Sequence, residues 1–185
     1  MFVTWRLAGT LPAALIASLR RSQLSARRRF AVADKFLDRG ATGPQWLDQP
    51  RVATIVRDSI LRGDAQLRQY GLIAYVVMPN HVHLLIEPPL PLSRILRGIK
   101  GTTAQAANRA LNRVGLPFWQ DESFDHWVRS GAETEKIIRY IEHNPVEAGL
   151  VRAAADWRWS SASEAVAQAL LSVRVGSSKA DAVIP

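Results

Sequence analysis

The chain has 185 residues, 48% of them hydrophobic and 22% charged, the balance of a folded globular protein long enough to bury a core. It contains no cysteine, which excludes disulfides and thiolate metal sites, and no apolar run approaches the roughly 20 residues that span a bilayer. The formal charge of +8 favours a polyanionic partner, although a surplus made of 20 arginines and 4 lysines is also what GC-rich coding produces unaided.

In chain order, Phe2 to Leu7 (FVTWRL) is a short β-rich run ended by Gly9 and Pro12. From Pro12 to about Phe36, Leu15, Leu19 and Leu24 recur at helical spacing among arginines, which predicts one helical region. Ala41 to Pro44 (ATGP) is a break. Val52, Ile55, Val56, Ile60 and Leu61 then predict an amphipathic helix that runs to Gly63. Tyr70 to Met78 reads as a strand, Pro79-Asn80 as a turn, and His81 to Glu87 as the returning strand of a hairpin. Past three prolines, a helix is expected from Ser93 to about Arg113, stopped by Gly115 and Pro117. Phe118 to Arg129 reads as loop then strand. Ala132 to His143 reads as a helix ending near Asn144, because Pro145 disfavours helical geometry in the residue before it.

This order is a βαββαβ plan with an inserted helix and a C-terminal helix. It predicts an α+β, ferredoxin-like fold: an antiparallel sheet with helices on one face. Residues 1–165 are expected to form a single domain and 166–185 a loosely ordered tail. Arg6 comes early and the Arg20-Arg21 pair late, the reverse of a secretory leader, so a cytoplasmic protein is expected.

Two features carry chemistry. His81 and His83 lie two apart on a strand, so they share a face, with Cβ atoms about 7 Å apart, and Val82 points to the other face. Two imidazoles on one face can converge on a divalent ion, with oxygen ligands to complete its shell. Alone, such a pair is more often a solvated strand face. Tyr140 and Asn144 are four apart, one helical turn, and so present a phenol and a carboxamide side by side; His143 competes with Asn144 as a ligand. Tyr70 and Tyr75, at and within the first hairpin strand, are expected in the core or at an edge.

PNHVHLLI, FWQDESFDHWVR and YIEHNPVEAGLV, in this order, resemble the signature blocks of the single-tyrosine HUH transposases, where HUH is His-hydrophobic-His, here His81-Val82-His83. The opening FVTWRLAGTLP and the later WRWSSA resemble one branch, the REP-associated tyrosine transposases. The likeness runs from Met1 to about Ala162 and is weakest between Arg27 and Leu67. Ser123 stands where many relatives have an aromatic residue.

The resemblance implies that His81, His83 and Asn144 hold Mg²⁺ or Mn²⁺ and that Tyr140 attacks DNA to give a 5′-phosphotyrosine. It implies single-stranded DNA with hairpin or palindromic repeats as partner, a monomer or homodimer, and nucleoid association when bound. A hairpin-binding protein with little or no catalysis is the alternative. A strand-tracking surface would draw on the arginine-rich segments (Arg20, Arg21, Arg27 to Arg29) and above all on Arg94, Arg97, Lys100, Arg109 and Arg113, since that helix follows the histidine strand. Trp119, Phe124 and Trp127 are candidates to stack on exposed bases.

Overall fold

A computed structural model describes residues 1–163 and Gln168. Four antiparallel strands, β1 (Phe2–Leu7), β2 (Gly71–Val77), β3 (His81–Glu87) and β4 (Trp119–His126), form one sheet in the order β2-β3-β1-β4. That is the strand order of the expected ferredoxin-like plan. The segment read as loop then strand enters its strand directly at Trp119.

Three helices fill the β1–β2 connection: α1 (Ala13–Arg21), α2 (Ala26–Asp38) and α3 (Pro50–Ala65). The single helical region expected over Pro12 to Phe36 is therefore two helices. The break falls where Ser22 turns extended and Ser25 caps α2, its hydroxyl accepting from the Arg28 N–H. Helix α4 (Leu92–Ala110) connects β3 to β4, and α5 (Gly131–Glu147) follows β4.

Strand alternation divides the core. Val3, Trp5, Val82 and Leu84 face α3 and α4, the two crossover helices, and all four side chains are buried. Tyr70 donates to the Ile60 carbonyl on α3 and Trp119 to Thr103 on α4, which ties the sheet to this layer; Tyr70 and Tyr75 are core residues. Opposite register partners share a face, so Phe2, Thr4, His81, His83 and Phe124 lie on the other side. There α2 and α5 cover the sheet. The crossover helices occupy one face as expected, and the added helices close the second.

Helix α5 does not stop at Asn144. It continues through Pro145 to Glu147, with both Asn144 and Pro145 buried against the sheet. The proline removes one donor and crowds the preceding turn. Its cost is offset by burial and by an orderly finish: Ala148 N–H bonds the Asn144 carbonyl, Leu150 N–H that of Pro145, and Gly149 takes φ +72°. Asn144 thus keeps helical phase with Tyr140. The WRWSSA segment pairs along the β2 edge through a Val76–Ser160 bridge, which covers a strand that would otherwise be open. Apart from Gln168, the expected C-terminal helix and loose tail lie outside the described residues.

Candidate active site

The Pro79-Asn80 turn builds the site. Leu7 N–H bonds the Asn80 carbonyl, Leu47 N–H bonds that of Pro79, and Asn80 Nδ2 donates to the Leu37 carbonyl at 2.9 Å. The last of these fastens α2 beside the start of β3. His81 and His83 are both fully buried, because α2 and α5 lie over them. Their Nε2 atoms are 3.0 Å apart. Asn144 Nδ2 is 3.3 Å from His83 Nε2, and the Tyr140 and His83 rings are 5.4 Å apart at their centroids. Helix α5 therefore reaches the histidines of its own chain. His143, the competing ligand candidate, is exposed and bonds the Arg139 carbonyl, so it lies outside this group.

Two carboxylates join the cluster, and neither is among the residues singled out from sequence. Asp34 Oδ1 is 3.4 Å from His83 Nε2 and 3.9 Å from His81 Nε2; Asp38 Oδ1 is 3.7 Å from His81 Nε2. The Tyr140 hydroxyl donates to Asp34 Oδ2. The sequence signal was a pair of acids one turn apart, DKFLD, in an otherwise basic helix. Its meaning depends on where α2 docks.

Burial dominates the electrostatics. It pushes His81 down to about 3 and holds His83 well below the usual imidazole range, so both rings are neutral. Burial, then the neighbouring Asp38 and Glu147 charges, push Asp34 up to about 8, and burial with Glu147 pushes Asp38 up to about 6. With no cation beside it, Asp34 therefore favours its protonated form at neutral pH.

The donor set fits a divalent cation. Asn80 Oδ1, which only accepts, lies 2.6 Å from His81 Nδ1, so that nitrogen carries the proton and the Nε2 lone pair points inward. Asp34 Oδ1, Asp38 Oδ1 and Asn144 Oδ1 are buried without a hydrogen-bond partner, although it is Nδ2 of Asn144 that faces His83. Inward lone pairs and orphaned oxygens around one point are what a cation satisfies. The nitrogens of His81 and His83 and an oxygen of Asp34 all lie within 4.8 Å of one another.

The expected DNA contacts are scattered. Arg94, Arg97 and Arg109 are exposed on α4, behind the sheet from the histidines. Lys100 on the same helix donates to the Gln120 and Asp121 carbonyls at 2.7 and 2.9 Å, which ties α4 to β4. Arg113 stacks its guanidinium over Trp46, 4.0 Å from the ring centroid. Trp119 does not stack on bases as expected. Its indole is buried against Trp5 and its N–H is taken by Thr103, so it belongs to the core. Trp127 is 61% exposed and free to meet a ligand. Beside Tyr140 lies a cleft of about 350 Å³ whose lining mixes cations (Arg27, Lys35, Lys136) with carboxylates (Asp34, Asp38, Glu133, Glu147) around Phe30 and Phe124. Phe30 and Phe124 stack at 4.1 Å there. Lys35 and Lys136 were not picked out from sequence, since isolated lysines on helices carry no pattern.

Known proteins share sequence and fold with this chain. The REP-associated tyrosine transposase of Escherichia coli (strain K12) is 29% identical over 106 residues, 56% of this chain and 61% of that protein. A putative REP-associated tyrosine transposase of Haemophilus influenzae is 25% identical over 103 residues, 50% of this chain and 58% of the relative. The chain thus matches about 60% of the length of these curated relatives. A solved structure, described as the REP-associated tyrosine transposase bound to a REP hairpin, superposes with a TM-score of 0.57 at 22% identity. That superposition covers 91% of this chain and 79% of the other, and it shows a shared fold. The profile of the family described as "Transposase IS200 like" matches residues 47–144, a span that holds His81, His83, Tyr140 and Asn144. The chain belongs to the IS200-like transposase family.

Proposed function

We propose that this chain is a divalent-metal-dependent endonuclease and strand transferase for single-stranded DNA. It acts at hairpins formed by palindromic repeats, through a covalent 5′-phosphotyrosine on Tyr140. One observation carries the reading: a half-buried phenol, two buried neutral imidazoles and a buried carboxamide, from β3 and α5 of the same chain, meet beside an aromatic cleft lined by both cations and carboxylates. The family match and the hairpin in the related structure's description support the substrate.

His81, His83 and Asn144 would hold the ion, Asn144 through its oxygen once the carboxamide is turned over. When bound, Mg²⁺ or Mn²⁺ supplies Lewis acidity toward a phosphate oxygen. A phenol titrates near pH 10 and is a weak nucleophile when protonated. The Tyr140 hydroxyl is held by Asp34 and its ring packs edge-on to Phe2 and His83, which fixes its direction of approach. Attack forms the Oη–phosphorus bond and breaks the bond to the 3′ oxygen, which takes up a proton and leaves as a hydroxyl. A 3′-hydroxyl attacking the phosphotyrosine reverses these changes and returns the phenol, so strands rejoin without a nucleotide triphosphate. Single-stranded DNA suits this arrangement because its backbone can bend into the cleft, where Phe30 and Phe124 offer apolar surface to a base.

The test is a labelled hairpin oligonucleotide incubated with the protein and Mn²⁺ and resolved on a denaturing gel. A covalent adduct is expected from the natural chain and none from Tyr140→Phe, with hairpin binding retained in a mobility-shift assay. Binding to several hairpins with no adduct in either metal would leave a hairpin-binding protein and sink the catalytic reading.

A further inference from the structure

We propose that Asp34 is a direct metal ligand, so that helix α2, within the β1–β2 connection, completes the centre formed by His81, His83 and Asn144. This deepens the metal-dependent reading above and rests on it. An octahedral ion with bonds of about 2.1 Å keeps neighbouring donors about 3 Å apart. Around His83 Nε2 the distances are 3.0 Å to His81 Nε2, 3.4 Å to Asp34 Oδ1 and 3.3 Å to Asn144 Nδ2, the place its oxygen takes once the carboxamide is turned over. Asp34 is only 4% exposed, and that oxygen has no hydrogen-bond partner. A carboxylate serving only to hold Tyr140 would use Oδ2 and have no reason to aim Oδ1 between two imidazoles. Asp38 Oδ1 is likewise buried without a partner, but Asp38 is the weaker candidate, since it approaches His81 alone and is more exposed.

Charge and donor type point the same way. Two neutral imidazoles and an amide bring no negative charge to a doubly charged ion, whereas a carboxylate brings one. It is also the hard oxygen donor that Mg²⁺ and Mn²⁺ favour. Because Oδ2 accepts the Tyr140 hydroxyl, Asp34 would link the ion to the nucleophile, each through a different oxygen.

The full chain is titrated calorimetrically with Mn²⁺ in four forms: natural, Asp34→Asn, His81→Ala and Tyr140→Phe. Asp34→Asn is expected to weaken Mn²⁺ binding at least ~10-fold, the scale on which even supporting groups act on a metal site. His81→Ala should abolish binding, and Tyr140→Phe, which removes only a hydrogen bond to the other oxygen of Asp34, should weaken it less than Asp34→Asn does. If Asp34→Asn binds as tightly as the natural chain while His81→Ala does not, the proposal falls and the metal site stands. Natural affinity in His81→Ala would remove the metal reading itself, and this inference with it.

A second variant guards against a folding defect. The chain has no cysteine, so Asp34→Cys introduces its one thiol. With Co²⁺ bound, a thiolate-to-cobalt absorption band is expected in the near ultraviolet for this variant and not for the natural chain. Bound Co²⁺ without that band would place residue 34 outside the coordination sphere and overturn the proposal.

Discussion

Thr4 Oγ1 lies 2.7 Å from His83 Nδ1, in the buried layer beneath the rings, and Asn80 holds Nδ1 of His81 in the same manner. Each ring is gripped at the nitrogen that faces away from the site, which turns the other nitrogen inward. Partners of this kind fix tautomer and orientation, and their loss commonly lowers metal affinity ~10–100-fold. Thr4→Val keeps the shape and removes the bond. It is expected to weaken Mn²⁺ binding within that range. It should also lower stability by about 1–3 kcal/mol, because His83 Nδ1 is left buried without a partner. Calorimetric titration and urea unfolding measure the two effects. Unchanged Mn²⁺ affinity would mean that packing against Phe2, 5.8 Å away and nearly parallel, is enough to orient the ring.

Among the elements, α5 does the most for the site, and its first turn is anchored at both ends of a capping arrangement. Ser130 Oγ accepts from the Glu133 N–H, while Glu133 accepts from the Arg129 N–H and from His126 Nε2. The Arg129 bond first, then the His126 bond, hold the Glu133 carboxyl below its ordinary 4.5. A depressed folded value means that the contribution is complete above about pH 4.5 and is lost as pH falls through the lower folded value. Protection of the Arg129 amide, taken relative to its intrinsic exchange rate at each pH, should therefore fall on acidification below pH 4.5, and Glu133→Gln should remove most of that dependence. The same helix shows what the sequence made legible. Tyr140 and Asn144 were readable because their relation is local, four residues along one helix, and the His81–His83 relation is local to one strand. The helix was read one turn short because the residue rule for proline is a local penalty, and the burial of Asn144 and Pro145 that outweighs it is not local. Asp34 was unreadable for a related reason: the bond that docks α2, from Asn80 to Leu37, joins positions 43 apart in the chain. The split of α1 from α2 rests on one capping serine inside a run of arginines, where hydrophobic spacing is a poor guide.

At the scale of the whole molecule, the surplus of eight positive charges has to be divided between two faces. Arg94 and Arg97 lie on α4, behind the sheet, whereas Arg27 and Lys136 line the cleft beside Tyr140 on the α2 and α5 side. A strand whose phosphate reaches Tyr140 must run through that cleft, so the cleft cations should meet single-stranded DNA and the α4 arginines should not. Each neutralised phosphate on a single strand contributes about 0.7 to the slope of log affinity against log salt. Removing two contacts with Arg27→Ala and Lys136→Ala should flatten that slope by about 1.4 for an unpaired oligonucleotide. Arg94→Ala with Arg97→Ala should leave the unpaired oligonucleotide unaffected. A hairpin substrate separates the remaining roles. If its duplex stem wraps round to α4, the Arg94 and Arg97 variants will lose affinity for the hairpin and keep it for the single strand. If they lose neither, α4 is a packing helix with a solvated basic face. If both oligonucleotides weaken equally, the division between the faces is wrong, and the strand must reach Tyr140 from the α4 side. Fluorescence anisotropy over a salt series, with the two oligonucleotides and the two double variants, decides among these outcomes.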